Sequence, residues 1–162
     1  MAGPKGPAGW DAWPMTGGSP GRTLLHMSQI SVRHEERDRF RVAIRGNELV
    51  VDQPAPASGD EGPTPTELFV ASLAACGAFY ARRFLARHGL ADGALTVTAD
   101  FAMATDHSRV ASIALRVQTP AGVPPELRGA LERVVDACTV HNSIRHGPAV
   151  SVEIVAKEPA PV

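Results

Sequence analysis

Between Leu68 and Tyr80, eleven of thirteen residues are apolar. Thr64 stands before Pro65, and Glu67 falls three residues after the Thr, so a capping box with proline in the first turn marks a helix start. Gly89 supplies a stop, and Arg82, Arg83, Arg87 and His88 suit the negative end of a helix. The segment therefore reads as one helix from Pro65 to about His88. A surface helix confines its apolar residues to one stripe; this one is apolar around its circumference and has to be buried on all sides. A chain of 162 residues can hardly surround such a helix alone. The expectation is a second subunit covering part of it.

The rest of the chain supplies strands. Ile30 and Val32 alternate with polar neighbours, as do Phe40, Val42 and Ile44, and the charged stretch 34–39 reads as their connection. Gly46-Asn47 turns the chain into Leu49-Val50-Val51, and the Pro- and Gly-containing stretch 52–63 reads as a loop. Leu95, Val97, Ala99, Phe101 and Met103 form one arm of a hairpin and Ile113, Leu115 and Val117 the other. Pro124-Pro125 opens a second helix whose Leu127, Leu131, Val134 and Cys138 share one face. A short irregular piece then runs to Gly147-Pro148, and Val150, Val152 and Ile154 alternate as a last strand. The order predicts an α+β domain with a mostly antiparallel sheet around a long buried helix. It occupies residues 28–157, between a Gly/Pro-rich tail over 1–27 and a short tail over 158–162. Trp10 and Trp13 fall in the first tail, and Met27, where ordered patterning begins, is a candidate native start.

Sixteen Lys and Arg against seventeen Asp and Glu give a net charge of -1, which offers little pull toward nucleic acid or an anionic membrane. Two cysteines are too few for a secreted disulfide scaffold, so a reducing cytoplasm is the expected compartment. Cys76 lies midway along the apolar helix and Cys138 ends the core face of the second. Two inert core thiols are one reading. The other is a redox pair, in which one thiolate attacks a peroxide, becomes a sulfenic acid and is captured by the other thiol. An apolar site raises a thiol's pKa, so the attacking sulfur needs a nearby cation.

The stretch from Gly62 to Cys76 (GPTPTELFVASLAAC) resembles the first cysteine motif of the OsmC-like family, the osmotically inducible protein C and organic hydroperoxide resistance proteins. Ala137 to Ile144 (ACTVHNSI) resembles the family's second motif, and the order of elements fits from about residue 28 to 157. The resemblance implies an intertwined homodimer with the long helices buried at its centre and two sites at the interface. It also implies Cys76 as the peroxidatic and Cys138 as the resolving cysteine, an organic hydroperoxide as substrate, a thiol or dithiol as reductant, and no cofactor.

Peroxidase members add an Arg that stabilises the thiolate and a Glu that holds the Arg. The family's Glu sits directly after the Pro, ten residues before the first cysteine, and that position is Thr66 here. Glu67 is the neighbouring candidate, but nine helical steps put it on the face opposite Cys76, and its capping role already explains it. Asp60 and Glu61 are substitutes in the preceding loop. Arg37-Asp38 resembles the turn that carries the family's Arg, which makes Arg37 the first candidate and Arg39 the second; a solvated hairpin charge is the plainer reading of both. Phe79 and Tyr80 are candidates for core or pocket wall, and His141, three residues after Cys138, for the pocket rim or for proton transfer. Two cysteines and dispersed histidines do not make a zinc ligand set.

The leading expectation is a thiol peroxidase acting on organic hydroperoxides, and more weakly on hydrogen peroxide, in oxidative-stress defence. Thr66 and the unmatched Arg motivate an alternative: a dimer that binds an apolar small molecule or senses oxidants without efficient turnover. A thiol hydrolase using Cys76 with His141 ranks last, because the sequence shows no carboxylate to orient the imidazole.

Overall fold

The computed structural model describes residues 28–156 except 55, 57, 58 and 121; the two expected tails, with Trp10, Trp13 and Met27, lie outside the described residues. Three strands, β1 (Ile30–Glu36), β2 (Arg39–Ile44) and β3 (Asn47–Val51), form an antiparallel sheet in the order β1-β2-β3. Its register aligns Val32 with Val42 and Val42 with Leu49. The charged stretch expected to be a connection is mostly strand. Only Arg37 and Asp38 turn, because Arg37 adopts a left-handed φ of 48° that lets the hairpin close tightly. Arg45 and Gly46, at φ 52° and 89°, make the second turn, with both residues in the region that suits a twisted two-residue hairpin.

The long helix α1 (Pro65–Arg87) begins as the sequence predicts. Thr64 accepts from the Glu67 amide at 3.2 Å, and the Glu67 carboxylate accepts from the Thr64 amide at 2.7 Å. The helix ends at His88, whose ring lies on Phe84 with centroids 4.2 Å apart, and Gly89 leaves it at φ 67°. The hairpin β4 (Thr96–Met103) and β5 (Val110–Gln118) follows, with Val97 opposite Val117 and Ala99 opposite Leu115. Helix α2 (Pro125–Asp136) then packs on α1. Ala81, Phe84, Leu85, Val123 and Leu131 form the core, flanked by Leu127, Val134, Val135 and Val117. Gly77 lets the two helices approach: a Cβ there would sit 3.3 Å from Val135 Cγ1.

Two features differ from expectation. The irregular piece after Cys138 is a third helix, α3 (Thr139–Arg145), and Cys138 is its N-cap rather than the end of α2. Cys138 has extended backbone (φ -65°, ψ 153°), which breaks α2 and restarts a helix at a new angle. The last strand does not form: residues 147–156 are neither helix nor strand, and Val150, Val152 and Ile154 are 83%, 85% and 93% exposed. A strand needs an edge to pair with, and this segment pairs with none in the single chain. As expected of a chain too short to surround it, α1 buries only one face within the single chain, through Val70, Leu73, Gly77, Ala81, Phe84 and Leu85, while Phe69 and Phe79 are exposed. It is long and apolar enough to cross a membrane by length and composition alone, but that buried face is part of the core. Of β1, β2 and β3 only Val51 is buried, and it lies outside the cluster between α1 and α2.

Candidate functional site

Cys76 and Cys138, 62 positions apart in sequence, are neighbours where α1 passes the junction of α2 and α3. Both thiols are free, Cys138 fully buried and Cys76 half-buried. Burial pushes the Cys138 thiol up, the backbone N–H of His141 opposes that shift, and the neighbouring Cys76 thiol adds to it. Cys138 therefore stays a thiol at neutral pH, and Cys76 is the sulfur that solvent can reach.

The junction is fastened on both sides. The amide of His141 donates to Cys138 Sγ at 3.4 Å, as expected of a helix N-cap. One turn along α1 from Cys76, the Tyr80 hydroxyl meets the Thr139 hydroxyl at 3.1 Å. Asp136, the last residue of α2, lies 3.2 Å from His141 Nδ1 and takes Arg145 Nη2 on both oxygens, at 2.7 and 2.8 Å. The Arg145 hydrogen bond holds the Asp136 carboxyl below the usual Asp range. Asp136 and Thr139 went unnoticed in the sequence. Asp136 stands two residues before Cys138 and five before His141, a spacing that becomes informative only with the helix break between them.

An open cavity of about 1110 Å³ runs beside this junction. Leu73, one turn before Cys76, lines it together with Leu115, Val135, Asp136 and His141, whereas neither cysteine does. Of the three residues expected to meet substrate, His141 is on this wall; Phe79 and Tyr80 are not. Phe79 is on the exposed side of α1 with the Arg83 guanidinium 5.5 Å from its ring centre.

The two activating candidates are elsewhere. Glu67 is exposed and its carboxylate is taken by Thr64, whose backbone N–H keeps it below the usual Glu range. Arg37 is exposed at the tip of the β1–β2 hairpin. Arg39 does have carboxylate partners: its Nη1 pairs with Glu61 at 2.7 Å and its Nε lies 3.1 Å from Glu35. Glu61 belongs to the loop before α1, which the buried Asp52 shapes by accepting the amides of Gln53 (2.8 Å) and Glu61 (3.0 Å). Pro65 and Cys76 are separated by about 16 Å of helix rise. Arg39 is thus tied to the N-terminal end of α1, far from the Cys76 of its own chain. Among the described residues, no group of three or more His, Cys, Asp or Glu side chains could hold a metal.

A family model for OsmC-like proteins matches residues 58–153, which contain both cysteines. The chain belongs to the OsmC-like family. Its fold is similar to a Psychrobacter arcticus protein described as osmotic stress induced and detoxification responsive, with a TM-score of 0.67, 20% identity, and coverage of 74% of this chain and 90% of that one. An OsmC-like protein from Mycoplasma pneumoniae is similar with a TM-score of 0.63 and 16% identity, over 75% of this chain and 89% of that one. An organic hydroperoxide resistance protein from Legionella pneumophila is similar with a TM-score of 0.51 and 20% identity, over 76% and 92%. At these identities the likeness is one of fold. No curated protein matches the sequence.

Proposed function

We propose that this OsmC-like protein is a thiol-dependent peroxidase that reduces organic hydroperoxides in a reducing cytoplasm. The proximity of Cys76 to Cys138, which the packing of α1 against α2 and α3 brings about, carries the reading. Cys76 attacks the outer peroxide oxygen; the O–O bond breaks, an alcohol leaves, and Cys76 becomes a sulfenic acid. Cys138 then attacks the Cys76 sulfur, water leaves and a disulfide forms. A thiol or dithiol reductant returns both sulfurs to thiols. Apolar cavity residues such as Leu73, Leu115 and Val135 favour a substrate with an alkyl or aryl group over hydrogen peroxide.

The working unit in this reading is an intertwined homodimer. Support comes from the sheet of which only Val51 is buried, the exposed Phe69 and Phe79 on α1, and the unpaired alternation at Val150, Val152 and Ile154. A second copy would cover these surfaces and accept the C-terminal segment as a strand. It could also bring a hairpin guanidinium to the Cys76 of the other chain, and Arg39, already braced by Glu61, suits that role better than Arg37.

Stopped-flow mixing of reduced protein with cumene hydroperoxide tests the proposal. Rapid loss of the Cys76 thiol and a disulfide with Cys138 are expected, and Cys138→Ser should stop at the sulfenic acid. A wild-type protein left reduced by excess hydroperoxide overturns the peroxidase and favours a binding or sensing dimer, the reading that Thr66 at the family's Glu position motivates.

A further inference from the structure

The resolving step has an unmet chemical need. Cys138 must lose its proton to attack, yet its thiol is buried, and burial disfavours the thiolate. The residue whose amide touches this sulfur carries an imidazole, the side chain best suited to exchanging protons near neutrality. That ring is not loose: its Nδ1 lies 3.2 Å from Asp136 Oδ1, and Arg145 engages both oxygens of the same carboxylate. A carboxylate so paired can only accept hydrogen bonds, so Nδ1 is the ring nitrogen turned toward an acceptor and Nε2 is the one left facing away from it. The ring also lines the cavity that Leu73 lines one turn before Cys76, with its side chain 28% exposed.

We propose that His141 is the proton carrier for disulfide closure between Cys138 and Cys76, and that Asp136 is the positioning residue that fixes its tautomer and orientation. The inference rests on the redox-pair reading above. In the peroxidase cycle, the Cys138 S–H proton passes to Nε2 and then to the hydroxide leaving the Cys76 sulfenic acid, which departs as water. With a mixed disulfide on Cys76 in place of the sulfenic acid, the same proton passes to the departing thiol. Electrons balance in both cases: the Cys138 sulfur is oxidised as the leaving group takes the bonding pair.

The second case supplies the test. A dipyridyl disulfide reacts first at the half-buried Cys76 and releases one thiopyridone; attack by Cys138 releases a second, and both are followed by absorbance. Asp136→Asn should slow the second release about tenfold and His141→Ala about a hundredfold, with the first release unchanged. Added imidazole should restore part of the His141→Ala rate, which also shows that this variant is folded. The double variant should be no slower than His141→Ala alone, since Asp136 acts through the ring. Second-release rates equal to wild type in both single variants overturn the inference. So does a double variant in which the two losses multiply, because Asp136 would then serve only to hold α3. No hydroperoxide is involved, so a wild-type protein that closes its disulfide with this reagent but ignores hydroperoxide removes the peroxidase and leaves the proton carrier supported.

Discussion

Tyr80 and Thr139 join hydroxyl to hydroxyl at 3.1 Å across 59 positions of sequence, one turn past Cys76 on one helix and one residue past Cys138 at the start of another. The bond ties together the two elements that carry the neighbouring cysteines. Tyr80→Phe removes the bond and keeps the ring. The stability loss should be below about 1 kcal/mol, because the pair is partly solvated. Disulfide closure should slow several-fold, because the helices are less well registered. Denaturant midpoints and the second thiopyridone release separate the two effects.

Gly62 sets the path of the chain into α1. A Cβ there would run into the backbone carbonyl of Val50 at the end of β3. Backbone cannot step aside as a flexible side chain can, so Gly62→Ala should cost about 1–3 kcal/mol. Thermal unfolding measures it, and a variant as stable as wild type would show that the loop and β3 are not held so close.

The Asp136 carboxyl is held low by Arg145 and, secondarily, by His141. Its pKa is lower in the folded than in the unfolded protein. The stabilisation it contributes is therefore complete above about pH 4, the ordinary Asp value, and disappears as pH falls through the lower folded value. Asp136→Asn should lower stability at pH 7 and make little difference near pH 2. Urea titrations of both proteins at the two pH values check the sign.

Cys138 gives the opposite pH dependence. Its thiol titrates higher in the folded protein, chiefly through burial. The folded state is favoured by this group below its ordinary pKa near 9 and loses that advantage as pH rises. The fall in stability between pH 8 and about pH 10 should be shallower in Cys138→Ala than in wild type.

The C-terminal alternation tests the dimer. Val152 and Ile154 would fall on one face of a strand, and both are exposed in the single chain. Replacing both by Asp should shift sedimentation from two chains toward one if this segment pairs with a second copy. A double variant that sediments as a full dimer would assign the interface elsewhere.

The residues of α1 specify its existence and both its ends, because a capping box, an N-terminal proline and a terminal glycine act within a few positions of one another. The hairpins were equally legible, since period-two alternation and turn residues are local signals. The family could be named from two cysteine segments for the same reason. Tertiary structure decided what locality cannot. Cys138 could be read as the end of α2, yet the packing of the chain breaks the helix after Asp136 and makes that cysteine the cap of α3, beside Cys76. Asp136 became a partner of His141 only once that break turned two nearby positions toward each other. Glu61 met Arg39 because a buried Asp52 folds the intervening loop back on the hairpin. The alternating Val150, Val152 and Ile154 record the opposite case: the pattern of a strand is written in the chain, but a strand exists only where another edge offers its hydrogen bonds.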